Sequence, residues 1–433
     1  MLFNLFLIFA VLATLVCMGV LIARILGLSC ADFGRFRLSL VKPMSLQGGC
    51  FTRRDSLEIL ALALGMICLS YGVSLLYCGI FGKGVSLDQF YFSWRKYDAY
   101  HYLKLAELGY ADYTEHGNPL FLVFFPLYPW LIRLLHGIIP DYQLCGHIIS
   151  SLCYAGSCVL FGKLVTEEFG RKVGRLSVLF LTAYPFAFFF SSIHTESLFL
   201  LLSLASFYCI RRHDWLLVGL LGALAALTRS QGVFLAVVAF VEYWMTEHPI
   251  RKIRARNWRG LWKDFYGKLL CMAIVAVGFV IYLILNWRVT GDPFAFSGFQ
   301  KERWNQGFTL FPNTLTLLKN ALLGTPSEGY EFVPYTTWGP QLVLFVFCLV
   351  LLIYGIRRMP PVYMLYYTIC VFLNFSLTNP LSCCRYIACA FPLPIMLAVG
   401  SQRRPLLGKV LLVVYAVLQG VFMLAYFAGK HIC

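Results

Sequence analysis

Asp98, His101, Tyr102 and Leu105 fall at helical spacing within the segment from Tyr97 to Tyr110. A helix beginning at Asp98 carries all four on one face. A carboxylate at the mouth of a membrane cavity, beside His101 and Tyr102, can accept a proton from an attacking hydroxyl. The plainer alternative is structural: Asp98 caps the helix, Gly109 ends it, and the helix lies on the membrane surface. Glu196, Arg229 and Arg385 stand at the edges of apolar runs, where an ionisable side chain is a functional suspect. Glu196 and Arg229 are expected to pair across two helices. His194, two residues before Glu196, is expected on a different helical face. Either Arg could instead be a helix-end cation reaching for the interface. Asp292, between Gly291 and Pro293, reads as a turn residue or a substrate contact. Lys104 reads as a surface charge. Asp112, Glu115 and His116 read as a solvated turn rather than a metal site. The sequence contains no Gly-rich phosphate loop, zinc spacing or nucleophile elbow, so no cofactor and no metal is expected.

The elements that must position these residues follow from composition. Of 433 residues, 60% are hydrophobic and 13% charged, against ~45–50% and ~25% in a soluble domain. That excludes an ordinary soluble enzyme, a disordered chain and a disulfide scaffold. It implies an all-α, polytopic integral membrane protein. Twelve apolar segments are expected to span: 3–25, 57–81, 142–163, 176–193, 195–210, 214–228, 231–246, 269–287, 340–356, 361–377, 386–400 and 406–428. The four between 176 and 246 are short. Bent or re-entrant pairs are therefore expected around His194 and Arg229, a geometry tolerated only inside protein. The first apolar run lacks a basic leader and a small-residue cleavage site, so it reads as a retained span and not a signal peptide. Most of the 16 cysteines lie inside apolar runs and act as small hydrophobes; the adjacent Cys383 and Cys384 read as packing.

The net charge of +16 does not imply a nucleic-acid partner, because the basic residues cluster in short loops. Arg24, Arg35, Arg37, Lys42, Arg53, Arg54, Lys163, Arg171, Lys172, Arg175, Arg211, Arg212, the basic residues from Arg251 to Lys268, Arg357, Arg358, Arg403, Arg404 and Lys409 all fall on one side. That side is cytoplasmic by the positive-inside rule, and both termini then face outward. The chain reads as a single integral membrane domain over 1–433, with an extra span and basic loop at 1–56. Two long outer loops, at 82–140 and 288–339, are rich in aromatics, Gly and Pro. The first includes a Pro-broken stretch from Asn118 to Trp130, expected as a juxtamembrane helix or a greasy groove for a polyprenyl chain. Long outer loops suit an enzyme better than a transporter, and no internal repeat supports an inverted-repeat carrier. A multi-span lipid or solute transporter or flippase and a noncatalytic partner subunit are the rival readings.

Several motifs occur in a familiar order. Tyr97-Asp98-Ala99, Leu105-Ala106, Gly109-Tyr110 and Phe124-Phe125-Pro126-Leu127-Tyr128-Pro129 come first. Then come His194-Thr195-Glu196-Ser197-Leu198-Phe199, Arg229-Ser230-Gln231-Gly232 and Gly291-Asp292-Pro293-Phe294, with Gln300 and Trp304. Over roughly residues 90–400 this pattern resembles the GPI mannosyltransferase 2 (phosphatidylinositol glycan class V) family, in its bacterial-type branch. Two positions depart from it: Tyr97 replaces the usual Trp, and His194 the usual Tyr. The resemblance implies a GT-C glycosyltransferase that inverts the anomeric centre. It implies a sugar donor, commonly mannose, on a polyprenyl or dolichyl phosphate, and a lipid or glycan acceptor at the extracytoplasmic or lumenal face. Asp98 would be the general base, and Arg229 and Arg385 would steady the lipid phosphate. His101, Tyr102, Glu196 and Asp292 would complete the substrate site. Besides membrane lipids, a small membrane subunit is an open partner class. The bacterial-type motifs favour a bacterial plasma membrane; in a eukaryote the location would be the endoplasmic reticulum.

Overall fold

The computed structural model describes residues 2–29, 48–82, 84–247, 256, 258–325 and 331–432. The expected basic residues Arg35, Arg37, Lys42, Arg251, Lys252 and Arg254 lie outside the described residues. Those described form helices joined by turns, with two isolated β-bridges. Among the described residues six segments are long and apolar enough to cross a membrane: Leu2–Gly27, Arg53–Phe81, Tyr142–Phe169, Tyr266–Thr290, Pro334–Gly355 and Pro405–Phe427. This is an all-α integral membrane architecture. All twelve expected segments contain helix, but six of them hold helices too short to be spans of this kind.

Helix α1 (Leu2–Ser29) precedes α2 (Arg53–Phe81), which Thr52 and Asp55 start with a reciprocal capping box. The first long loop then carries α3 (Leu87–Trp94), α4 (Asp98–Glu107) and α5 (Leu127–His136). Asp141 caps α6 (Tyr142–Phe169) by accepting from the amides of Gln143 and Leu144. Next come two broken pairs: α7 (Arg171–Thr182) with α8 (Glu196–Arg212), and α9 (Trp215–Thr228) with α10 (Leu235–Glu247). Helix α11 (Trp258–Thr290) leads to the second long loop with α12 (Ala295–Trp304) and α13 (Phe311–Leu323). The chain closes with α14 (Gly339–Gly355), α15 (Pro361–Phe375), the one-turn α16 (Cys383–Ile387), α17 (Pro392–Arg403) and α18 (Pro405–Phe427).

The breaks have local causes. Pro185 and a run of buried phenylalanines, Phe188 to Phe190, end α7 in a 3-10 turn. Gly232 permits the tight return between α9 and α10: a Cβ there would stand 2.3 Å from the Ala225 carbonyl carbon. Pro380 and Pro392 bracket the short α16. The break at 183–195 is buried in protein, where irregular backbone is tolerated, while those at 229–234 and 376–391 are only partly buried. The three turns, at 183–195, 229–234 and 376–391, meet at one end of the bundle.

Candidate functional site

Helix α4 begins in strained backbone. Tyr97 holds φ +53° and ψ −129°, a conformation that costs a non-glycine residue energy and persists only when surroundings impose it. The C-terminal segment imposes it. The Tyr97 hydroxyl donates to the Lys430 carbonyl at 2.5 Å and accepts from the Ile432 amide at 3.2 Å. Lys96 Nζ donates to the carbonyls of Tyr426 and Phe427 at 2.9 and 2.7 Å. Asp98 therefore starts the helix as its first residue and does not cap it. Gly109, at φ +94°, lies two residues beyond the helix end, and its amide donates to the Leu105 carbonyl at 3.1 Å.

The freed Asp98 carboxylate accepts from Arg385 Nη2 at 2.6 Å. Arg385 Nε lies 3.0 Å from Glu196 Oε1, and the same oxygen accepts from Arg229 Nη1 at 2.8 Å. The expected Glu196–Arg229 pair is present. The four charges alternate along a chain, acid, base, acid, base, and sum to zero. Glu196 and Arg385 are 1% and 5% exposed, Arg229 is 12% and Asp98 is 26%. Burying one such pair alone often fails to repay its desolvation; shared partners make each charge less costly. Glu196 is the first residue of α8, where the helix dipole favours an acid.

Burial works to raise the Asp98 carboxyl pKa, but the Arg385 guanidinium, with His194 and His101, outweighs it and holds the group below its ordinary value. Burial depresses the His101 imidazole, against the pull of Asp98. His101 stacks on Phe121 at 4.4 Å and its Nδ1 lies 2.9 Å from the Tyr113 hydroxyl. Tyr102 is buried edge-on to Phe124 and Tyr128. Its hydroxyl pKa is pushed up by burial first, then by the Asp98 and Glu196 charges.

The sequence separates His194 from Glu196 by helical facing and also expects a break at His194; the break is what the structure contains. Helix α8 starts at Glu196, so His194 lies in the preceding turn and feels the charges of Arg385, Glu196, Asp98 and Arg229. Tyr386 was missed. Its ring lies 3.9 Å under the Arg229 guanidinium and 4.9 Å from that of Arg385, joining the two cations. Its position directly after Arg385 was the available signal.

Asp292 is not brought to this cluster. Its side chain accepts from the Phe294 amide at 2.9 Å in an exposed turn. Lys104 pairs with Glu107 at 2.7 Å at the protein surface. Glu115 pairs with Arg303. Among the described residues no group of three or more His, Cys, Asp or Glu side chains is gathered as a metal site. The aromatic stretch expected as a groove is consumed in packing. Phe121 and Phe124 meet Trp304 edge-on, and Phe125 stacks on Tyr282 at 4.0 Å. An open apolar groove lies elsewhere, between α2, α7 and α18, with Met66, Leu179 and Met423 in its walls.

The second long loop completes the site's support. Phe308 bridges to Leu377, and the Thr309 amide donates to the Ser376 carbonyl at 2.9 Å. These bonds pin the segment that leads into Arg385.

Residues 119–284 match the family model described as dolichyl-phosphate-mannose-protein mannosyltransferase. That is under half of the chain. The matched stretch contains Glu196 and Arg229, begins after Asp98 and ends before Arg385. The match points to the GT-C superfamily rather than to GPI mannosyltransferase 2 in particular. No curated protein matches the sequence. Among solved structures, the crystal structure of the Archaeoglobus fulgidus oligosaccharyltransferase in the apo form is similar, at 12% identity and a TM-score of 0.45. The alignment covers 88% of this chain and 57% of that one, so the chain spans little more than half the length of that protein.

Proposed function

We propose that the chain is a membrane glycosyltransferase of GT-C type, moving a sugar, with mannose the first candidate, from a polyprenyl or dolichyl phosphate to an acceptor hydroxyl. The supporting observation is the buried chain Asp98–Arg385–Glu196–Arg229, a carboxylate at a loop–membrane boundary backed by two guanidiniums. The similarity over residues 119–284 to a mannosyltransferase family agrees with it. The motif order keeps the GPI mannosyltransferase 2 family, in its bacterial-type branch, as the finer assignment.

In this reading Asp98 takes the proton of the acceptor O–H. The acceptor oxygen forms a bond to the anomeric carbon as the carbon–oxygen bond to the lipid phosphate breaks. The electron pair leaves on the phosphate, and attack from the opposite face inverts the centre. Arg385 and Arg229 receive the phosphate oxygens, for which the planar guanidinium is well shaped. Lipid phosphate is a good leaving group and needs no protonating acid.

The ion pair to Arg385 gives this mechanism an order. Without donor, Arg385 holds Asp98 below its ordinary pKa, and Asp98 is a weak base. A donor phosphate competes for the same guanidinium. Losing Arg385 leaves burial as the main influence and adds a neighbouring anion, and both raise the carboxylate's basicity. The general base thus gains strength only when a donor is seated.

The test is transfer from polyprenyl-phosphate mannose in detergent or proteoliposomes. Asp98→Asn is expected to lower turnover by ~10²–10⁴-fold, the usual worth of a general base, while the protein remains folded. Unchanged turnover in folded Asp98→Asn removes Asp98 as the base. Solute flux without product would replace the enzyme by the transporter reading.

A further inference from the structure

Two buried acceptor atoms at the site have no hydrogen-bond partner: His194 Nε2 and Glu196 Oε2. Both residues are 1% exposed. A buried polar atom without a partner costs free energy and calls for an explanation.

Which ring nitrogen of His194 carries the hydrogen follows from its neighbour. Ser192 Oγ lies 2.7 Å from the Phe189 carbonyl and 2.7 Å from His194 Nδ1. A carbonyl can only accept, so the single hydroxyl hydrogen of Ser192 is committed to Phe189. Toward His194, Ser192 Oγ is therefore the acceptor, and Nδ1 carries the N–H. In the neutral imidazole Nε2 is then a bare lone pair. It stands in the electrostatic field of all four members of the ion-pair chain. Glu196 Oε2, an oxygen of an ionised carboxylate, can only accept, and both guanidinium contacts go to Oε1 instead.

Two acceptors with nothing to accept are complementary to a ligand rich in hydroxyl donors. A phosphate does not fit them, since its oxygens are acceptors too; the phosphate belongs with the guanidiniums. We infer that His194 Nε2 accepts a hydroxyl of the bound sugar, making His194 a substrate-binding residue of this site. Ser192 is its positioning residue, because it fixes the tautomer that leaves Nε2 free. The inference rests on the glycosyltransferase reading. The hydroxyl belongs either to the donor sugar or to a sugar of the acceptor, and the two sources separate experimentally.

The experiment measures binding of a short-chain polyprenyl-phosphate mannose to the purified full chain, then the acceptor KM with the donor saturating. Three variants are compared with wild type: His194→Leu, which has no acceptor; His194→Gln, whose amide oxygen reaches the Nε2 position; and Ser192→Ala, which frees the tautomer. For a donor hydroxyl, His194→Leu weakens donor binding about ten- to hundredfold, with acceptor KM unchanged. For an acceptor hydroxyl, donor binding is unchanged and acceptor KM rises by that factor. In both cases His194→Gln restores most of the loss and Ser192→Ala gives a smaller one. Monodispersity and thermal midpoint show each variant to be folded. Wild type that binds no donor overturns the glycosyltransferase reading and this inference with it. Wild type that binds and turns over, while folded His194→Leu matches it in both constants, overturns the inference alone. So does a loss that His194→Gln shares in full, since that marks a packing role.

Discussion

Two of the buried charge clusters among the described residues differ in instructive ways. Arg211 lies in the last turn of the helix that Glu196 begins, 15 residues on, so the second cluster lies ~22 Å from the first. There Arg211 donates to Glu168 at 2.7 Å and Glu242 at 2.5 Å. His213 Nε2 stands 3.5 Å from the same Glu242 oxygen. As at Asp98, one Arg lies between two carboxylates. Yet the Arg211 cluster ties the ends of regular helices, α6, α8 and α10, and contains a single guanidinium. The Asp98 cluster gathers residues from helix starts and backbone breaks. It offers a second guanidinium beside a carboxylate that is partly exposed. Buried opposite charges, and a buried carboxylate oxygen without a partner, are thus common to clamp and site. Broken helices, the second cation and access to water distinguish the site.

The largest expected effects test that division directly. Asp98→Asn should remove most turnover and little stability, because its side chain keeps access to water. Glu242→Ala should do the reverse. It strands Arg211 with one partner and should cost ~3–5 kcal/mol of stability, with transfer per folded molecule unchanged. Thermal midpoints in one detergent, together with single-turnover transfer, read both. A Glu242→Ala protein that is stable but inactive would dissolve the distinction between the two clusters.

Legibility followed range along the chain. The apolar runs carried the fold class, since bilayer burial leaves its mark on every residue of a helix. The helix at Asp98 was visible because its spacing is local. The role of Asp98 at the helix terminus was not. Its carboxylate goes to Arg385, 287 residues away, and that contact outcompetes capping. Glu196 and Arg229 were matched correctly because two costly charges in apolar runs have few other partners. The break around His194 was legible in the short apolar runs, but the place of His194 beside the four charges was not, because it depends on residues far along the chain. Six of the twelve expected spans hold shorter helices, because hydropathy marks an apolar run without marking where the helix inside it breaks.

A pH profile sharpens the comparison from inside the Asp98 cluster. In free enzyme Asp98 is held below the ordinary 3.8, so the acid limb of kcat/KM should lie below that value. A depressed carboxylate keeps its charge as pH falls and loses it only at its own lower pKa. In Arg385→Gln the guanidinium is gone and burial dominates. The limb of the residual activity should then move upward, above 3.8. An acid limb that does not move would place the titrating base elsewhere than Asp98.

The smallest effect is expected where the two long loops meet at the surface. Arg303 and Glu115 pair at 3.2 Å with side chains 53% and 31% exposed. Such a pair is worth ~0–1 kcal/mol and is screened by salt. Beside it Trp304 lies edge-on to Phe121 and Phe124, at centroid distances of 6.4 and 6.1 Å. Aromatic contact of this kind survives salt and carries the larger share of the docking. Arg303→Gln should therefore leave turnover unchanged and lower the thermal midpoint slightly, with the difference vanishing at high salt. Limited proteolysis of the second loop should not accelerate. If it does accelerate in Arg303→Gln, the exposed charge pair, and not the aromatic seam, holds the loop that supports Arg385, and the site depends on surface electrostatics after all.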